Sequence, residues 1–558
     1  MLFNIFPLSP ANLLAVCLLL ITVLWRRYAA KHASLVAYEK RDDVKGIPST
    51  FPYVFPLLGN LPIMYLWNPK DFVLNPKNFF QSAHPVLVKI LTQEFYVVQG
   101  PENVKALFKA SSVCTSIPFV KFALGYAFGL PAKALSLYDK DDSGGGHVPH
   151  PGSTVEARNR IDYRGHQSIV QFLEGKKLLP FWNRFADDIT RQLYNLYGRM
   201  GSDWEYRADL MKTIGDEVTV STLNALCGPY LLKLNPTFLK DFWDFDRNLQ
   251  TYLQGIPWFL APRAYAARKR VLNAVKIWQQ HARDHYDDSA MGADGDDPFW
   301  GSSFFRERHE MFLEMDGFDH AAIASLDFGA IWAVRNSIAT VSWAIFEIYR
   351  DPELLASVRA EVDTCATRSA DGRIQFDIDK LLRLPVLQAV YAETLRLRMH
   401  FYIIKMPDRV DMKIRDWIIS RRKVTVTLTT AAHMDSKAWN TGLNNEHPVN
   451  EFWVGRFLTY YQSGSEPCNG QAYGSTPAFS TKEYEGSWIP YGGGPRQCPG
   501  RHFAKRQILL TTALIISLFD CEISEEGKSV QEDLTLKGFG GGISHPINPV
   551  PIYIKQRR

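Results

Sequence analysis

Residues 488–519 read WIPYGGGPRQCPGRHFAKRQILLTTALIISLF, and the reading of the fold turns on Cys498 within that run. Tyr491 is followed by Gly494 three positions on, by Cys498 four beyond that and by Gly500 two further, after which a long apolar stretch of helical periodicity begins. Glycines at 492, 493, 494 and 500 admit backbone angles that other residues resist, so the chain can bend sharply and lie against a flat surface. A cysteine beside a helix start meets exposed amides and the positive end of the helix dipole, which is expected to lower its pKa and make it a permanent anionic ligand. A phosphate cradle would need Gly-Lys-Ser/Thr at the end of the loop, which is absent, and a glycine-rich turn with an incidental cysteine is the bland alternative.

The rest of the chain narrows the choice. At 558 residues it could hold several domains or one large enzyme, and its 46% hydrophobic and 13% aromatic content is ample for a large core. A formal charge of +5 without a Lys/Arg block argues against a nucleic-acid partner. The seven cysteines, at 17, 114, 227, 365, 468, 498 and 521, form no C-x-x-C pair, which speaks against a disulfide framework and a structural zinc site. From Met1 to Trp25 no residue is charged, and Arg26, Arg27 and Lys31 follow at once. That pattern predicts a single membrane anchor over 1–27 with the amino end lumenal and the body cytosolic. A cleaved signal peptide would carry its cations ahead of the apolar run and end in a small-residue cleavage site, and neither is seen.

Residues 28–62 include GIPSTFPYVFPLLGNLP (46–62), whose four prolines predict a semi-rigid extended linker. Two β-runs over 86–100 and a helix opening at Pro101 come next. Stretches rich in Gly, Ser and Asp or Asn at 139–154, 286–303 and 461–483 read as surface loops, with amphipathic helices over 177–200, 321–350, 378–398 and 501–519 and a short β-run at 422–430. In VYAETLRLR, Glu393 and Arg396 share one helical face about one hundred residues before Cys498. Residues 324–354 are apolar on nearly all sides, as a buried helix is, and carry Arg335, Asn336 and Ser337.

These features together resemble the cytochrome P-450 family, whose cysteine-ligand loop reads Phe-x-x-Gly-x-x-x-Cys-x-Gly; Tyr491 replaces the usual Phe. The resemblance runs over residues 46–558, specific in the carboxyl-terminal half and carried mainly by layout in the other. It implies a mainly α fold, with a large helical domain around a haem and a smaller β-rich amino-terminal part, so that 63–558 form the catalytic domain. Haem b would be held at its iron by Cys498, in a loop shaped by Tyr491, Gly494 and Gly500, and thiolate ligation favours O–O cleavage. Arg496 would pair with a haem propionate, and Arg409 with a second. Glu393 and Arg396 match the helix-K motif, closed into a structural network by Arg456 of FWVGRF, where Val454 replaces Pro.

In helix I, Asn336 stands where most members have Thr, and Arg335 where an acid precedes it. Trp332, Ala333 and Asn336 are instead similar to the subgroup of prostacyclin synthase and the bile-acid sterol hydroxylases. Asn336 or Ser337 carries a donor suited to dioxygen or an ordered water, and Arg335 is expected to point away from the haem because an unpaired buried cation is costly. The helix-C Trp-x-x-x-Arg is missing; Arg164 or His166 are the substitutes. Phe119, Phe122, Tyr126, Phe128 and the GFGGGIS turn around Phe539 would line the substrate cavity.

The function so implied is oxidation of a lipophilic substrate, a terpenoid, sterol or other secondary metabolite, by a monomeric enzyme in the endoplasmic reticulum membrane. Electrons would come from NADPH through a separate cytochrome reductase, since the chain has no Rossmann fingerprint of its own, and Lys505 and Arg506 are docking candidates. A reductase-independent isomerase or dehydratase, and a membrane-tethered lipid or haem carrier, are the alternatives.

Overall fold

Branched and aromatic residues at 86–97 form the antiparallel hairpin β1 (Val86–Ile90) and β2 (Gln93–Val97) in a computed structural model that describes residues 10–39, 46–53, 57–60, 84–461, 467–468 and 476–557. With β3 (Cys114–Thr115), β4 (Met399–Pro407), β5 (Val424–Leu428) and β6 (Gly541–Ile543) they build a six-stranded sheet in the order β1-β2-β5-β4-β6, with β3 paired to β4. β5 runs parallel to β2, Val426 against Val97, and antiparallel to β4, Val426 against Ile404. The early strands are thereby closed by strands from the other end of the chain.

The helices that matter for the site are α1 (Pro10–Glu39), α2 (Ile161–Leu173), α3 (Leu178–Arg199), α4 (Phe238–Arg247), α5 (His320–Trp332), α6 (Arg335–Arg350), α7 (Pro385–Arg398) and α8 (Arg501–Leu518). The core lies among α3, α6, α7 and α8: the Phe503 ring stacks on Phe181 at 4.1 Å and meets Phe185 edge-on at 5.6 Å. Truncating a fully buried ring such as Phe185 to Ala costs about 3–5 kcal/mol.

Two expected helices are interrupted. The 378–398 stretch divides into Ile378–Leu381 and α7, because Pro385 lacks an amide donor and holds Leu384 extended (ψ 117°). The 321–350 stretch breaks at Ala333 and Val334; beyond the break Ser337 Oγ bonds back to Val334 O at 3.0 Å and Thr340 Oγ1 to Asn336 O at 2.7 Å, a pattern that bends helices.

Helix α1 turns its apolar side chains outward, with Leu19 67% and Trp25 66% exposed, and continues past the boundary expected at residue 27. Among the described residues no helix is long and apolar enough to cross a membrane; residues 1–9 of the expected span lie outside them. The described part of the Pro-rich segment lies against the body: Phe51 N–H donates to Leu87 O at 2.8 Å, Leu87 N–H to Ser49 O at 2.8 Å, and the Phe51 ring is buried.

Candidate active site

Gly492 and Gly494 take positive φ angles of 66° and 74°, and the bend they make lets Cys498 N–H donate to Tyr491 O at 3.0 Å. A Cβ on Gly494 would stand 2.2 Å from Ser111 Oγ, and one on Gly493 2.2 Å from the Phe108 ring. These glycines are therefore required by the protein packed behind the loop as well as by the bend. Tyr491 is enclosed, and its hydroxyl shares a 2.8 Å hydrogen bond with Tyr391 of α7, which satisfies the oxygen that Phe would not carry.

Cys498 opens onto a cavity of about 550 Å³. Residues Ala330, Asn336, Ser337 and Thr340 around the α5–α6 break, Met399 and Phe401 to Lys405 of β4, and Tyr491, Arg496 and Gly500 of the loop share its wall. Cys498 is open to the cavity, where desolvation by the surrounding wall pushes its thiol up and the Gly500 and Arg501 amides with the Arg501 charge pull it back. A coordinated metal cation deprotonates a thiol outright, so this cysteine suits a thiolate–metal bond. Haem fits the rest of the wall: a glycine-lined floor, apolar sides, and two cations on the rim, Arg496 and Lys405.

Arg496 Nη2 donates to Asp162 Oδ2 of α2 at 2.7 Å. Arg409, four residues beyond Lys405, does not reach the cavity; it is partly exposed and bonds Asp142 O at 2.7 Å and Pro151 O at 3.2 Å. The second cation on the cavity wall, beside Arg496, is Lys405, buried on β4 with Nζ donating to Gly493 O at 3.2 Å and its pKa pulled down by desolvation. Its signal in the sequence is a lone Lys inside the apolar run YIIKMP. Of the helix-C substitutes, Arg164 pairs with Glu314 at the surface, whereas His166 lies near Arg496 and is pushed down to about 4 by burial and by that charge.

Glu393, Arg396 and Arg456 come together fully buried. Arg396 donates to both Glu393 oxygens, at 2.6 and 2.8 Å, and Arg456 Nε to Oε1 at 3.1 Å. The remaining guanidinium donors reach backbone oxygens, among them His433 O, Val449 O and Pro448 O, so the network locks α7 to the segment before the cysteine loop. Val454 sits in a short 3₁₀ turn, Val454–Phe457, that carries Arg456 without the proline.

Arg335 lies off the cavity, paired with Asp246 of α4 at 2.9 Å. Burial alone would raise Asp246, but the Arg335 charge, with His545 and Trp332 Nε1 as further donors, holds it well below the usual carboxylate range. Of the five aromatic residues expected in the cavity only Phe119 lines it. Phe122 and Tyr126 pack on each other at 4.6 Å, Phe128 packs against Phe245, Phe328 and Trp332, and Phe539 against His400 and Tyr402. The GFGGGIS turn closes as β6 against β4, which directs Phe539 into the sheet's core. Phe401, on the neighbouring strand β4, lines the cavity together with Met399 and Ile403.

The comparisons with known proteins agree with this geometry. The family model for cytochrome P-450 matches residues 318–547. A cytochrome P-450 monooxygenase of Humicola fuscoatra, fsoE, is 31% identical over 527 residues, covering 92% of this chain and 88% of that protein. Another, efuG of Hormonema carpetanum, is 29% identical over 552 residues, covering 96% and 93%. The cytochrome P-450DA haem domain matches with a TM-score of 0.60 across 92% of this chain and 98% of that one, at 15% identity, a likeness of fold. The chain belongs to the cytochrome P-450 family and is a haem monooxygenase.

Proposed function

We propose that this protein inserts one oxygen atom of dioxygen into a carbon–hydrogen bond of a lipophilic polycycle, a terpenoid or sterol, releasing the other oxygen as water. Two electrons would come from NADPH through a separate flavoprotein reductase. One observation carries the reading: the Cys498 thiol, two polar residues of the helix break and the apolar residues Phe119, Ile169 and Phe401 share one cavity. When bound there, the haem supplies dioxygen activation, with Cys498 as its thiolate ligand and Arg496 and Lys405 placed for its carboxylates. The chain's own residues orient the substrate and exclude water, and Asn336 and Ser337 supply polar groups to an otherwise apolar part of the wall.

The site reading goes with a membrane setting, a monomer tethered to the endoplasmic reticulum with its body cytosolic. Its supports are the outward apolar face of α1, the cations Arg26 and Arg27, and the exposed run Trp258, Phe259 and Leu260 on the body. On the surface by the cysteine loop, Lys505 bonds Gln388 and Arg506 lies over Trp182, so Arg506 is the more available of the two for an acidic reductase.

The test is expression of the full chain with a reductase in microsomes, with products followed by mass spectrometry against candidate terpenoids and sterols. Turnover should require both dioxygen and NADPH; turnover without either would mark an isomerase or dehydratase, and product under no regime a carrier. Cys498→Ser should lose the far-red-shifted carbon monoxide band, and retention of that band overturns the ligand assignment.

A further inference from the structure

Asn336 is held at its oxygen alone. Its Oδ1 accepts from Arg335 Nη1 at 2.8 Å and from Ile543 N–H of β6 at 3.0 Å. Both partners can only donate, so the atom between them is the carbonyl oxygen and not the amide nitrogen. Asn336 also lines the cavity, and among the described residues its Nδ2 has no hydrogen-bond partner. Neighbouring hydroxyls offer no competing donor, because Ser337 Oγ and Thr340 Oγ1 spend their protons on Val334 O and Asn336 O. The cavity therefore meets one fixed donor from this stretch, the Asn336 NH₂ group.

What fixes it is a cluster outside the cavity. Arg335 reaches Asp246 of α4, Ile543 O at 2.8 Å and Gly541 O at 3.3 Å, so its guanidinium cannot turn without breaking several charge-assisted bonds. Gly542 completes the clamp: its φ is +119°, and a Cβ there would stand 2.3 Å from Asn336 Oδ1 and 2.9 Å from Arg335 Nη1. Only a glycine strand lets the Asn336 oxygen approach so closely.

We infer that Arg335 is a positioning residue: held by Asp246 and β6, it fixes the Asn336 amide so that Nδ2 donates into the cavity above Cys498's ligand site. This rests on the haem-thiolate reading proposed above. Because Asp246 belongs to α4, the amide's orientation is tied to the seating of that helix against the α5–α6 break.

The test is infrared spectroscopy of carbon monoxide bound to the reduced, haem-loaded full chain, since a nearby donor lowers the C–O stretching frequency. Asn336→Leu should move the band to higher frequency. Asn336→Asp should do the same with the clamp intact, since a carboxylate accepts from Arg335 and Ile543 but donates nothing. Arg335→Met, and Gly542→Ala by displacement of the amide, should shift the band the same way or split it. In a chain where Asn336 is already leucine, Arg335→Met should move it no further. A band unmoved by Arg335→Met, or moved equally in both backgrounds, overturns the positioning role while leaving the haem-thiolate reading standing. A parent chain with no far-red carbon monoxide absorption overturns both. Should Arg335→Met fail to fold, Arg335→Lys keeps a charge for Asp246 but cannot span Asn336 and Ile543 together, and an unmoved band there is equally decisive.

Discussion

Lys405 and Arg409 lie four positions apart and meet different surroundings: β4 buries the first against the cavity, and the strand's end releases the second to Asp142 and Pro151. A buried cation without a carboxylate costs desolvation energy that a haem carboxylate would offset. Lys405→Met should therefore raise the melting temperature of haem-free protein and weaken haem retention about tenfold, read by haem transfer to apomyoglobin. Arg409→Met should change retention and stability by less than about 0.5 kcal/mol. The Glu393 network behaves differently because its three charges already face one another. Arg396→Ala leaves the Glu393 carboxylate buried opposite Arg456 alone and should cost about 3–5 kcal/mol, measured by thermal unfolding. Arg396→Lys should rescue little of it, since an ammonium cannot bridge two carboxylate oxygens and two backbone oxygens.

At the scale of elements, helices are joined as much by polar contacts as by rings. His309, on the helix Ser303–Leu313, meets His320 at the start of α5 with ring nitrogens 2.9 Å apart. Burial, with Arg283 and His320 nearby, pushes His309 down to about 4. Its folded pKa thus lies below the unfolded value of about 6.5, so the unfolded chain binds the proton more tightly. Stability falls as pH drops through about 6.5 and levels off below about 4, by on the order of 3 kcal/mol from this residue. His166, also pushed to about 4, adds in the same window. His309→Gln should flatten that part of the pH dependence of the urea midpoint, and an unchanged slope would place the titration elsewhere. The elements themselves were legible where periodicity was long, as in α3 and α8. They were misjudged at Ala333, where the break depends on hydroxyls bonding back along the helix and on Arg335 being drawn to Asp246, neither of which a hydropathy pattern contains.

For the whole molecule, α1 and the Trp258–Phe259–Leu260 run expose apolar side chains that the membrane setting proposed above would cover. Full-length protein should resist extraction from microsomes by alkaline carbonate, and removal of residues 1–27 should release it to the supernatant. Full-length protein recovered in the supernatant would sink the anchor. The sequence by itself determined the family, the cysteine with its glycine bend and the Glu393–Arg396–Arg456 set, because those rest on residue types at short or fixed spacings that local geometry enforces. Tertiary structure alone decided which cation faces the cavity, which aromatics line it, and that Asn336 is clamped by its oxygen. Those outcomes depend on strands and helices hundreds of residues apart, β4 with β6 and α4 with α6, and on desolvation, which no local pattern records.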